Sequence, residues 1–312
     1  MSTQAVSLSR GDQLRVLGVV LIWGLNFVVM KLGLQTLSPM LLGALRFMVA
    51  SLPFILFVKP PPVPARYVLA YGLAQGLGQF GLLFLGLKLG MTAGMASVVM
   101  QTQAFFTLVL AVAMLHEKAR PSQWAGLALA FGGLLVIALG RGEGAGQMTL
   151  AGLVLTVGAA LMWALSNLVV RKAAQAVPGY KPLPFIVWSS LVPIVPFVLL
   201  AWWSEGWPAL TAQWQGMDGK ALLAVLYLAL LATLLAYSWW TELLQRHAAG
   251  RITPFSLLVP VVGLLAAMLL LGERPTVLQW LGTLGVLAGM MVNQFGGRWI
   301  GQGGSRRLRW DR

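Results

Sequence analysis

The chain has 312 residues, of which 58% are apolar and only 10% charged, with a mean hydropathy of +0.81. A soluble domain carries roughly 25% charged residues, so the surface of this protein faces lipid. Cysteine is absent and histidine occurs only at His116 and His247, both beside charged loop residues, so nothing calls for a metal, a cofactor or a catalytic nucleophile. The net charge of +14 does not indicate nucleic acid, because most cations fall in short loops between apolar runs or in the basic tail 297–312, where they suit a membrane surface.

Ten apolar runs reach spanning length, ~20 residues. The first, 14–34, lacks an Ala-x-Ala cleavage site and reads as a membrane helix rather than a removed leader. It carries Trp23 with Asn26 three residues on, on one face, and ends near Lys31. The second, 39–58, contains Arg46, and the stiff Pro60–Pro64 segment follows it. The third, 67–88, holds Gln75 and Gln79, four apart on one face; the fourth, 91–115, holds Gln101 and Gln103, which point to different sides. After a fifth run at 122–140, the glycine-rich stretch Gly140–Gly146 is the natural linker.

The second set begins with 150–170, which carries Trp163, Ser166 and Asn167. Run 182–203 adds Trp188, Ser189, Ser190, Pro193 and Pro196, and 220–243 adds Tyr237, Ser238, Trp239, Trp240 and Thr241. The last two are 253–271, with Pro254 and Pro260, and 276–296. Prolines inside such helices imply kinks or gating hinges. Motifs such as Gly72-x-x-x-Gly76 and Gly285-x-x-x-Gly289 permit close helix packing within one subunit; they do not indicate an oligomer.

The two sets repeat one another. Trp23…Lys31 returns as Trp163…Arg171 at an offset of 140, and Pro39 and Pro53 return as Pro182 and Pro196 at 143. Ala93-Gly94, Glu117, Gln123-Trp124, Gly126 and Gly133 return at 156 as Ala249-Gly250, Glu273, Gln279-Trp280, Gly282 and Gly289. The fold class is therefore all-α integral membrane, with ten transmembrane helices as two five-helix repeats, 14–140 and 150–296. Five is odd, so the second repeat enters the membrane inverted. Of the 22 Lys and Arg, sixteen fall on the side of the termini, five on the other and Arg46 within a helix. This places both termini in the cytoplasm and the chain in the inner, or plasma, membrane. Mirrored halves suit a carrier that alternates access to a site between them.

Mid-helix polar groups are the first suspects for that site, since hydrocarbon tolerates them only with partners or a function. They are Trp23, Asn26, Arg46, Gln75, Gln79, Gln101, Gln103, Trp163, Asn167, Trp188, Ser189, Tyr237 and Trp240. Neutral amides and hydroxyls suit a small zwitterion. Arg46 has two readings: it meets a substrate carboxylate, including one approaching from the outer side, or it caps carbonyls at a neighbouring helix end. Its repeat counterpart is Ser189, so the duplicated fold does not require the charge. The acidic residues all lie in loops, tails or helix ends, which leaves two readings of the driving force: coupling through Glu242 at the end of the eighth run, or coupling that is not protonic.

Trp23-Gly-Leu-Asn-Phe-Val-Val-Met-Lys31, Leu45-Arg46-Phe47, Gln101-Thr-Gln-Ala-Phe-Phe106, Ser256-Leu-Leu-Val-Pro-Val-Val-Gly263 and Gly272-Glu273-Arg274 resemble the EamA family of the drug/metabolite transporter superfamily. The resemblance runs from about residue 12 to about residue 298. It implies ten helices, two repeats and efflux of small amino-acid metabolites; the third and fourth strings, bearing the glutamines and the proline, point to O-acetylserine and cysteine as cargo. Other amino acids, drugs or metabolites are the alternative cargo. An integral membrane enzyme is the remote one, since the only His-acid neighbour pair, His116-Glu117, becomes Gly272-Glu273 in the repeat.

Overall fold

The structure, a computed structural model, describes residues 8–140, 148–247 and 249–304; the linker 141–147 and the tail from 305 onward lie outside these. Among the described residues ten helical stretches follow one another, the ninth led in by a short helix, Ala249–Ile252. They are α1 (Arg10–Thr36), α2 (Pro39–Ser51), α3 (Ala65–Lys88), α4 (Ala93–Leu115), α5 (Pro121–Leu139), α6 (Leu150–Ala176), α7 (Pro182–Gln215), α8 (Gly219–Leu244), α9 (Pro254–Leu271) and α10 (Val277–Gly304). Eight are long and apolar enough to cross a membrane, and α2 is a shorter apolar helix. Several start on a side chain that satisfies the open N–H groups of the first turn. Ser38, Thr92, Thr149 and Asp218 accept from Leu41, Met95, Gly152 and Ala221.

Two runs differ from the sequence expectation. The second is regular only to Ser51 and continues as turns to Phe57, so it is a short helix with an irregular end. The seventh is longer and broken. Its backbone leaves the helix between Ser189 and Ile194, at Pro193, and again at Gly206, whose φ of 76° precedes Pro208. Around that second bend Trp202, Trp203, Trp207 and Trp214 are exposed, as in the aromatic belts found at membrane interfaces.

The duplication is visible as matched local geometry. The turns after α4 and α9 place His116 (φ 53°) and Gly272 (φ 67°) in the left-handed region, 156 residues apart. Glu117 N–H then donates to Ala111 O (3.3 Å) and Glu273 N–H to Ala267 O (3.2 Å). The next helices begin alike: Arg120 N–H donates to Gln123 Oε1 (2.8 Å) and Thr276 N–H to Gln279 Oε1 (3.0 Å). The third helix of each half contains a wide π-helical stretch, Gly72–Gln79 in α3 and Tyr227–Leu235 in α8.

The inversion itself is clearest where α5 meets α10. A methyl group on Gly126 would lie 2.6 Å from Gly289 O, and one on Gly289 would lie 2.6 Å from Gly126 O. Gly133 and Gly282 make the same reciprocal contact, at 2.6 and 2.5 Å. The early glycine of each helix thus meets the late glycine of the other, which is the antiparallel crossing of two mirrored elements. Only hydrogen fits there, so the backbones touch.

Candidate functional site

A cavity of about 700 Å³ lies between the halves, within the size range of small-molecule sites. Trp23, Asn26, Arg46, Gln75, Gln79, Gln101, Gln103, Trp163, Asn167, Tyr237 and Trp240 all line it. Trp188 and Ser189, which the sequence reading included, do not. Trp188 Nε1 donates to Val58 O (2.9 Å) and fastens α7 to the end of the second run. Ser189 Oγ donates to Phe185 O (2.6 Å), a bond within its own helix. Their polar groups serve the backbone.

Arg46 is 1% exposed, and its guanidinium is held by Thr233 and Phe80. Nε and Nη2 donate to Thr233 Oγ1 at 3.0 and 2.8 Å, and the guanidinium lies 3.7 Å from the ring centroid of Phe80. Thr233 Oγ1 in turn donates to Leu228 O, five residues back in the π-helical stretch of α8 (2.7 Å). The widened turn therefore brings the carbonyl five residues back within reach of the hydroxyl, which it orients beneath the guanidinium. This replaces the expected contact with helix-end carbonyls. Nη1 has no hydrogen-bond partner, and no acid is paired with Arg46 among the described residues.

Two further buried atoms on the cavity wall lack partners, Asn26 Oδ1 and Gln79 Oε1. Gln75 is different. Its Nε2 donates to Tyr237 OH (2.8 Å) and its Oε1 accepts from Ser166 Oγ, so it ties α3 to α8 and α6. Asn167 Nδ2 donates to Gln103 Oε1 (2.8 Å), joining α6 to α4. Trp23 packs against Tyr237 and Trp240 with ring centroids 4.9 and 5.5 Å apart, and its Nε1 donates to Ala232 O (3.2 Å). The cavity lining thus includes a cation with no acid partner among the described residues, two buried amide oxygens without hydrogen-bond partners, and an aromatic cluster.

The mouth lies at the ends of the helices that carry the termini. Arg120, Gln123, Tyr180, Thr241, Leu244, Asn293 and Gln294 line it there. Burial holds the Tyr180 phenol above its usual range, so it remains a neutral hydroxyl. Beside the mouth, Arg15 and Arg246 each approach Glu242 to 3.5 Å, and His247 Nε2 lies 3.0 Å from Asp12 Oδ2, joining α1 to the end of α8. Glu242 thus belongs to a surface ion-pair network rather than to the cavity. The opposite end is shut, and Lys31, Lys88 and Glu273 bind backbone groups there.

The sequence reading missed Tyr71, Thr233, Tyr180, Asn293 and Gln294 as parts of this neighbourhood. Asn293-Gln294 was detectable, as an amide pair in an apolar run; the others become evident only when the helices are paired.

An inverted ten-helix bundle with a polar cavity between its halves defines a membrane carrier, and the model of the EamA-like transporter family matches residues 13–139 and 150–294. The chain belongs to that family. It is 43% identical over 291 residues, covering 93% of this chain and 97% of the relative, to a probable amino-acid metabolite efflux pump of Salmonella typhimurium. A protein of the same description from Escherichia coli is 41% identical over 94% of this chain and 97% of its own. A crystal structure at 18% identity shares the fold, with a TM-score of 0.59 over 93% of this chain and 98% of that one.

Proposed function

We propose that this carrier exports small zwitterionic amino-acid metabolites of the O-acetylserine and cysteine type from the cytoplasm, by alternating access between its inverted halves. The observation that carries the reading is the complementarity of the unpartnered groups. Arg46 Nη1 donates to a carboxylate, while Asn26 Oδ1 and Gln79 Oε1 accept from an ammonium. Buried polar groups without partners are uncommon in folded proteins; three belong to residues lining this one cavity, and an amino acid that reached all three would satisfy them together. The aromatic wall of Trp23, Tyr237 and Trp240 adds favourable contact with a cation. The described names of the two enterobacterial relatives favour the same cargo class.

Orientation follows from the charge bias, sixteen cations to five, which puts the termini and the cavity mouth on the cytoplasmic side. The cavity is then the loading state of an exporter. Metabolite profiling of the medium tests the reading: overexpressing cells accumulate extracellular O-acetylserine or cysteine and cells carrying Arg46→Gln do not. Accumulation of chemically unrelated metabolites would assign the carrier another cargo.

A further inference from the structure

The two ends of the molecule hold matched charged residues in different arrangements. At the shut end Glu273, in the turn after α9, accepts from Ala93 N–H (2.6 Å) and Gly94 N–H (2.9 Å), one oxygen on each. This places a carboxylate of the second half on the positive start of α4 in the first half. Lys31, near the end of α1, donates Nζ to Leu87 O (2.8 Å) and Met91 O (2.9 Å), closing α1 onto the α3–α4 turn.

At the open end the equivalents are Glu117, 156 residues before Glu273, and Arg171, 140 residues after Lys31. The turn that presents Glu117 has the same geometry as the one presenting Glu273. Yet Glu117 accepts from Arg171 Nη2 at 2.6 Å, both side chains being nearly half exposed. In the repeat, the backbone positions equivalent to Ala93 and Gly94 are Ala249 and Gly250, and those equivalent to Leu87 and Met91 are Leu243 and His247.

We propose that these four residues form two alternating latches. When an end is shut, its glutamate holds the first N–H groups of the opposing half's fourth helix and its cation holds backbone carbonyls. When that end opens, glutamate and cation release the backbone and pair with each other. Moving to the outward-open state thus transfers Glu273 to Lys31, while Glu117 leaves Arg171 for Ala249 and Gly250. Neither charge is left without a partner in either state, because each is exchanged between a backbone site and the other. The inference rests on the alternating-access reading and adds the groups that bias it.

The chain has no cysteine, so single reporters are clean. Ile137 is fully buried at the shut end, and its counterpart Asn293 lines the open cavity. Ile137→Cys and Asn293→Cys therefore report opening of the two ends when the detergent-solubilised protein is treated with a polar maleimide. The latch predicts opposite responses to one chemical change. Glu273→Gln weakens the shut end and raises Ile137→Cys labelling roughly tenfold, within the range of helix-terminus charge effects. Glu117→Gln weakens a latch that engages only in the outward-open state, so it lowers that labelling, most visibly when added to Glu273→Gln.

If Glu117 matters only through its exposed pair with Arg171, Glu117→Gln leaves Ile137→Cys labelling unchanged or raises it, and the latch is overturned. Should Glu273→Gln fail to fold, Lys31→Gln takes its place and must raise the labelling too. A substrate-induced, reciprocal change in the two reporters without opposite signs from the two glutamates rejects the latch alone. Reporters that never respond reciprocally reject alternating access itself.

Discussion

Replacing Arg46 is the most informative single change. Arg46 lies seven residues into α2, at 1.5 Å per residue roughly 10 Å from its start at Pro39. A cation at mid-helix costs about 2.5–3.5 kcal/mol on insertion scales. Here the cost is offset in part by two bonds to Thr233 and by the face of Phe80. Arg46→Gln removes both the cost and the offset, so the variant should fold and insert at close to the normal level. What it loses is the charged donor for a carboxylate, and hydrogen bonds to charged groups contribute about 1.5–3 kcal/mol. That corresponds to roughly a 10- to 150-fold drop in transport efficiency. Arg46→Lys keeps the charge but lacks the fork that serves Thr233 and substrate at once, and should fall between the two. The assay is efflux of labelled substrate from loaded cells, normalised to folded protein by size-exclusion fluorescence. Arg46→Gln protein that is well folded and exports at the normal rate refutes the carboxylate role.

Gln75 and Gln79 should separate, although their spacing sets them on one helical face. Gln75→Leu removes the bonds to Tyr237 and Ser166 that tie α3 to α8 and α6 and should lower stability by about 1–3 kcal/mol, read as thermal stability in detergent; Gln79→Leu should reduce transport with little loss of folded protein. At the α5–α10 crossing, Gly133→Val drives a side chain into the backbone of Gly282. Overpacking of this kind costs about 1–3 kcal/mol or more, and the yield of folded protein should fall accordingly. Reporter fusions after Gly142 should appear outside and fusions after Arg312 inside; the same side for both would remove the inversion.

Much of this architecture is legible in the chain because lipid imposes it. Ten apolar runs and the 140-, 143- and 156-residue echoes follow from hydropathy and duplication. The end of helix two is less legible, since Leu52–Val58 is as apolar as the regular helix but leaves it at Ser51. The division of α7 is written in Pro193 and Gly206, of which only the proline was singled out. Most of the polar residues that line the cavity stand out as polar groups in apolar runs, a filter that also admits Trp188 and Ser189. Distinguishing them requires knowing which backbone carbonyl each reaches, and Val58 lies 130 residues from Trp188. The hold on Arg46 is equally non-local. Thr233 is 187 residues away, and its orientation depends on a π-helical stretch for which Tyr227–Leu235 carries no evident signal.

The central claim is that one cavity reads both ends of an amino acid. Exchange of labelled O-acetylserine by the purified protein in liposomes tests it most directly. Cysteine should compete with this exchange, whereas cysteamine, which keeps the ammonium and thiol but has no carboxylate, should compete at least tenfold more weakly. Equal competition by cysteamine, or no exchange of O-acetylserine by folded protein, would contradict the account.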